Sequence, residues 1–167
     1  EPAHAVKAAA TVRGELVADE SEFNAGRGDF AVPELFAQSW SLTCFAFDSN
    51  ALPTCSPGVS GDLGADSEAT SHVARYNPIY YALIGLPSLL PPSEWTFTLM
   101  RLVSAILNAA LIALVLRTVA ELRRPGWVGL GVVAAITPMT IFTASSMTPQ
   151  GPEILGAVLT TTVLAAL

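Results

Sequence analysis

Charge is scarce in this sequence. Only 13% of its 167 residues are Asp, Glu, Lys or Arg, against roughly 25% in an average soluble protein. Lysine occurs once, at Lys7, beside seven arginines. Basic surface of the kind nucleic acid requires is therefore missing, and a formal net charge of −6 argues further against such a partner. Cysteine is limited to Cys44 and Cys55, which leaves no Cys-rich metal pattern. There is no phosphate-cradling glycine loop, no nucleophile elbow and no secretory signal peptide pattern. Apolar residues fill the space instead: 51% of the chain, with a mean hydropathy of +0.51. That is the composition of a membrane protein.

The few charges are unevenly placed. Residues 1–98 carry twelve acids and four bases, a net of −8, whereas residues 99–167 carry two acids and four bases, a net of +2. The second part contains the long apolar runs. Leu99–Leu116 holds one charge, Arg101, near its start, and Trp127–Ser146 holds none. About 20 apolar residues cross a bilayer as a helix, so spans are expected over about 99–121 and 127–146, with a third, cut short, over 154–167. A buried soluble hairpin is the alternative. Arg117, Arg123 and Arg124 crowd the turn between the first two runs, which Pro125 and Gly126 punctuate. Positive loops stay cytoplasmic, so residues 1–98 and the Met147–Glu153 segment are expected outside. The chain has no Met at its start and closes inside the apolar run Ile154–Leu167. Both features lead us to expect a piece of a longer protein, with a helix before Glu1 and more after Leu167.

Residues 1–98 are expected to form an outer region of helix and loop. Pro2–Leu16 reads as a helix broken at Gly14. The polar, glycine-containing stretch 18–33 reads as loop, Ala37–Phe47 as a short strand or helix, and Asp48–Ser71 as a mobile, turn-rich segment. Asn77–Pro92 is apolar but interrupted by Gly85 and Pro87, which suits a helix lying on the outer membrane surface, with Tyr76, Tyr80, Tyr81 and Trp95 at interfacial depth. Ten residues separate Cys44 from Cys55. An oxidising outer compartment favours a disulfide between them, two free thiols being the alternative.

Few residues carry recognisable chemistry. Glu1 and His4 stand at i and i+3, on one helical face, where a carboxylate can act as general base and both side chains can bind a divalent cation. The plainer reading is a carboxylate favouring a helix dipole. Arg75, Asn77, Tyr80 and Tyr81 combine a guanidinium, an amide and two phenols just above the bilayer, as a phosphate-binding segment or an interfacial anchor. Arg101 begins a span and can contact a lipid phosphate or snorkel to the headgroups. Asn108 reads as a helix–helix contact. Glu153 follows two prolines at the outer end of the third run, as a functional carboxylate or one facing water. His72 has no partner at useful spacing and reads as surface.

The order of these pieces resembles a bacterial membrane family, domain of unknown function 2142. "EPAH" followed by "AATVRGEL" is similar to that family's D-E-P-A-H-F…G opening. Arg101, Leu102 and Ser104 match its R-L-x-S at the head of a span, and Pro149 and Glu153 match its N-P-x-x-x-E. The "YNPIYY" segment resembles the P-P-x-Y-Y of the wider GT-C glycosyltransferases, which use lipid-linked sugar donors. Two departures stand out: the family's Asp falls before Glu1, outside this sequence, and Thr148 stands where the family has Asn.

The resemblance implies an all-α, multi-span, GT-C-like transmembrane protein of the bacterial plasma membrane, with residues 1–98 extracytoplasmic. It implies transfer of a sugar from a polyprenyl-phosphate donor to a cell-envelope glycan or lipid. Glu1, or the absent Asp, would act as base and His4 would orient it or help hold a divalent cation. Arg75 or Arg101 would hold the donor phosphate, with Asn77, Tyr80, Tyr81 and Glu153 near the substrates. The partners implied are membrane lipid and the lipid-linked donor; oligomeric state is left open. A non-catalytic membrane subunit or transporter-like scaffold is the alternative.

Overall fold

The computed structural model describes residues 1–16, 18–20, 27–46, 48–122 and 126–166. Arg123, Arg124 and Pro125, which carry much of the expected cytoplasmic turn, lie outside the described residues, as does Phe47. The chain divides into two compact units, Glu1–Met100 and Arg101–Leu167.

The first unit is organised around helix α1 (Pro2–Val12). Pro2 opens it at a position where its missing N–H is no loss, and Gly14 closes it at φ 94°, a backbone conformation natural to glycine. Ala3, Ala5, Val6, Ala8, Ala9 and Ala10 are all at most 1% exposed, so α1 is covered on nearly every side. A helix apolar all round demands such cover, and its alanines let neighbours approach closely. Lys7 is the exception in the interior. It is fully buried, donates from Nζ to the Leu16 carbonyl at 2.6 Å, and lies 4.9 Å from the centre of the Phe30 ring. Its burial among apolar groups pushes its pKa down.

One side of α1 is covered by a three-stranded antiparallel sheet in the order β1 (Asp19–Glu20), β2 (Gly28–Pro33), β3 (Asp66–Ser71). The all-α expectation is thereby corrected: the protein is mostly helical with a small sheet, and two stretches read as loop contribute its strands. Phe30 and Val32 alternate inward along β2. Phe30 pairs with Ala69, and Gly28 with Ser71. Ser71 Oγ then donates to the Ala3 carbonyl at 2.8 Å, joining sheet to helix. Glu15 accepts the Ala31 N–H at 3.0 Å beside the two-residue β1.

Helix α2 (Glu34–Ala37) and a 3-10 turn over Gln38–Thr43 follow β2. The expected disulfide is present: Cys44 and Cys55 are joined, with Cα atoms 6.1 Å apart. It closes a segment with little regular structure of its own, so its removal should tell on stability. Cys44→Ser with Cys55→Ser should lower unfolding free energy by about 2–3 kcal/mol, within the usual range for a short closed loop. Equilibrium denaturation of oxidised, reduced and doubly substituted protein checks this; the last two should coincide below the first.

Helix α3 (Pro78–Ile84) packs on another side of α1 and runs into a 3-10 turn over Leu86–Leu89. Arg13 clamps that turn to the end of α1, donating to Ala9 O, Ser88 O and Ser88 Oγ at 2.7–3.0 Å. Tyr81 and Ile84 face inward and are fully buried. Ile79 and Leu83, one turn apart on the other face, are exposed, as are Leu86, Leu89, Leu90 and Trp95.

Helix α4 (Trp95–Glu121) begins in the first unit and continues into the second. Its 27 residues measure about 40 Å at 1.5 Å per residue, more than the roughly 30 Å of a hydrocarbon core. Only 22% of its most apolar window is buried. The core helix of a soluble protein would be mostly covered, so α4 is a membrane-span candidate by length, composition and exposure together.

The second run, expected as one segment over 127–146, is two helices: α5 (Gly126–Ala135) and α6 (Pro138–Ser145), bent by 61°. The break has a sequence cause. Pro138 cannot continue α5, and Thr137 caps α6 by accepting the Thr140 N–H at 3.1 Å. Thr140 Oγ1 donates back to the Ala135 carbonyl at 2.9 Å, satisfying a group the break sets free. From α4, Ser104 Oγ donates to Ser146 O and Asn108 Nδ2 to Ala144 O, each at 2.9 Å. The expected helix–helix role of Asn108 is thus observed. Helix α7 (Gln150–Ala166) completes this unit with 17 residues.

Candidate functional site

The sequence-derived candidates fall into both units. Glu1, His4, Arg75, Asn77, Tyr80 and Tyr81 belong to the first; Arg101 and Glu153 belong to the second.

In the first unit the centre is His4. It lies on the first turn of α1, and α3 delivers Tyr81 to it across 77 residues of chain. His4 Nδ1 and the Tyr81 hydroxyl are 2.7 Å apart, and the two rings stack at 5.9 Å with 13° between their planes. Burial lowers the His4 pKa from 6.5 to about 4; His72 pushes the same way and Glu1 opposes it. The imidazole is therefore neutral at pH 7. With Nδ1 engaged by the phenol, Nε2 is the nitrogen left for other chemistry. It accepts a proton when Nδ1 carries the hydrogen shared with Tyr81.

Glu1 is exposed at the N-cap position of α1, yet its side chain makes no cap hydrogen bond. Its effect on the His4 pKa places its charge within electrostatic reach of the imidazole. Tyr81 is fully buried and holds His4 in position. Asn77 is exposed and caps α3, its Oδ1 accepting the Ile79 N–H at 3.0 Å. Arg75 is exposed and Tyr80 half-buried, with the Tyr80 ring edge-on to Tyr81 at 5.4 Å.

His72, read from sequence as plain surface, is exposed but sits 6.5 Å from the His4 ring. Tyr76 lies 6.2 Å from His4, and Trp40 lies 6.3 Å from His72. No spacing rule points to these three, because the turn after β3 and the 3-10 turn after α2 bring them in. Among the described residues, no group of three or more His, Cys, Asp or Glu is placed to share a metal ion.

In the second unit, Arg101 and Glu153 are both exposed, at the head of the unit and in the first turn of α7. The bond from Ser104 to Ser146 joins the segment containing Arg101 to the one that leads into Thr148–Glu153. These are the two stretches matched by R-L-x-S and N-P-x-x-x-E. Gly151 permits the contact: a Cβ there would stand 2.9 Å from Ala144 Cα and 3.0 Å from Asn108 Oδ1.

No curated protein and no solved structure gives a significant match. The family described as predicted membrane protein (DUF2142) matches residues 1–167, and the chain belongs to that family.

Proposed function

We propose that this protein is a GT-C-type membrane glycosyltransferase that moves a sugar from a polyprenyl-phosphate donor to a cell-envelope acceptor. The observation that carries this reading is a neutral imidazole fixed by a buried phenol, with the Glu1 carboxylate in electrostatic reach, at the head of a rigidly packed helix. In the reaction, the acceptor hydroxyl loses its proton to Glu1 or to His4 Nε2. Its oxygen forms the new bond to the anomeric carbon as the bond from that carbon to the phosphate oxygen breaks. The electron pair leaves with the polyprenyl phosphate, and Arg75, in the same unit as His4, balances its charge. His4 serves this scheme because it is unprotonated at neutral pH.

The topology has its own support. The Cys44–Cys55 bridge suits an oxidising compartment outside the plasma membrane. The exposed residues Ile79, Leu83, Leu86, Leu89, Leu90 and Trp95 suit a surface seated on lipid just before α4 enters it. The bent pair α5–α6 would be a second, broken span, and α7 a third.

Full-length protein in lipid nanodiscs, given radiolabelled polyprenyl-phosphate sugars and a cell-envelope glycan extract, should form labelled glycan. His4→Ala and Glu1→Gln, together with the equivalent change at the family's preceding Asp, should each lower the rate by about 10²-fold or more. Transfer that survives all of these substitutions would remove the catalytic assignment. A non-catalytic, transporter-like scaffold is favoured by one observation, the broken α5–α6 pair whose terminal carbonyls are gripped by Ser104 and Asn108. That reading expects no transfer by the unaltered protein.

A further inference from the structure

Four rings stand in edge or tilted contact across the His4 region. Trp40 meets His72 at 6.3 Å, His72 meets His4 at 6.5 Å, and His4 meets Tyr76 at 6.2 Å. The two outer members are large aromatics left well exposed, Trp40 at 42% and Tyr76 at 51%. They come from separate parts of the chain, Trp40 from the 3-10 turn after α2 and Tyr76 from the turn after β3. Packing of the core explains neither exposure. We propose that this row is a binding platform for a neutral glycan, the acceptor subsite of the protein.

The chemistry selects that ligand. One face of a sugar ring is a patch of C–H groups, which pack on the electron-rich face of Trp or Tyr by dispersion and weak electrostatic attraction. The hydroxyls around the ring edge need donors and acceptors, and the row supplies them. His4 and His72 lie within it, exposed Asn77 follows Tyr76 directly, and Glu1 opens the helix that carries His4. Charge excludes the main competitors. Residues 1–98 carry a net −8, which repels polyanionic ligands. A lipid surface is disfavoured by position: Ile79 and Leu83 point out on the face of α3 opposite to Tyr81, and Tyr81 is what holds His4. At about 100° per residue, positions 79 and 81 lie on opposite sides of a helix. The apolar strip and the aromatic row therefore belong to different faces of the first unit.

This inference rests on the proposed function only for the word acceptor; glycan binding itself requires no lipid-linked donor. Full-length protein in nanodiscs is titrated calorimetrically with three neutral probes: maltohexaose, a mannan hexasaccharide and an arabinan hexasaccharide. At least one should bind saturably. Trp40→Ala and Tyr76→Ala should each weaken it about tenfold or more, whereas Tyr76→Phe should leave it nearly unchanged because the ring face remains. Both positions are exposed, so the variants should unfold at the temperature of the unaltered protein, and that is measured alongside. Absence of saturable binding by all three probes overturns the platform, as does binding indifferent to both alanine substitutions. Lipid vesicle binding that depends on Trp40 while glycan binding does not would reassign the row to the membrane, overturning it likewise. If binding follows the expected pattern but no transfer occurs, the catalytic reading fails and the platform stands.

Discussion

Gly85→Ala should leave the first unit unable to reach its native packing. A Cβ at this position would stand 2.4 Å from the Ala8 carbonyl oxygen, 2.8 Å from the Tyr81 carbonyl oxygen and 2.8 Å from Val12 Cγ1. The first two are backbone atoms within α1 and α3, and cannot swing aside as a side-chain tip would. The two helices must separate. The same two helices carry the 2.7 Å contact between His4 and Tyr81, so the substitution should also release the imidazole and return its pKa toward 6.5. Overpacking typically costs 1–3 kcal/mol where side chains can yield; against backbone the loss should reach about 3 kcal/mol or more. The control is Gly156→Ala, where an added Cβ meets nothing within 4 Å. Within helix α7 it should be neutral or stabilising by about 0.5–1 kcal/mol. Denaturant unfolding should show a loss in Gly85→Ala and none in Gly156→Ala, and a Gly85→Ala protein as stable as the unaltered one would refute the close approach.

Why the sequence shows α1 and hides the sheet follows from particular residues. Pro2 and Gly14 mark both ends of the helix, and a run of alanines between them leaves no ambiguity of period. Strand β3, Asp-Ser-Glu-Ala-Thr-Ser, turns only Ala69 and Ser71 fully into the core, and neither is large enough to produce an apolar alternation. Strand β2 does alternate, with Phe30 and Val32 inward, but Gly28 and Pro33 frame it with the residues that usually announce a turn. Pro33 is tolerated there because it is the last residue of the strand. Helix α4 is legible from its length alone. The break between α5 and α6 is written in Thr137-Pro138, a cap followed by a helix-opening proline, yet the uniform apolarity of the surrounding run conceals it.

The site divides in the same way. Glu1 and His4 are legible because i and i+3 share a face. The contact of His4 with Tyr81 spans 77 residues and that with His72 spans 68; both depend on how α3 and the sheet close on α1. An exposed histidine such as His72 carries no sign in its local sequence that another histidine faces it. The burial of Tyr81 has the same origin. Its position in a tyrosine pair suggests a surface segment, but helical geometry turns Tyr81 inward while Ile79 and Leu83 remain outside.

Acidification from pH 7 to pH 4 should destabilise the first unit through His4. The unfolded chain titrates this side chain near 6.5, whereas the folded protein holds it at about 4, chiefly by burial. Between those values the unfolded state binds a proton that the folded state refuses, so stability must fall as pH falls across that window. Above 6.5 both states are neutral, and below about 4 both are protonated, so the contribution is flat on either side. The ring is only partly buried, and solvent screens it, so the loss should be on the order of 2 kcal/mol. Glu34 enters only at the acid end: hydrogen bonds from Gln38 and Ser67 lower its pKa below 4.5, so its contribution begins to be lost as pH falls past about 4.5 and is common to both proteins compared. Denaturant midpoints taken at pH 7, 5.5 and 4 should decline more steeply in the unaltered protein than in His4→Gln. Tyr81→Phe supplies the second test. It removes the phenol from Nδ1 but leaves the burial that sets the pKa, so its stability curve should run parallel to the original, displaced downward by about 1 kcal/mol. A decline of equal steepness in His4→Gln would assign the acid sensitivity elsewhere. It would also remove the reason for regarding the imidazole as a base kept neutral at working pH.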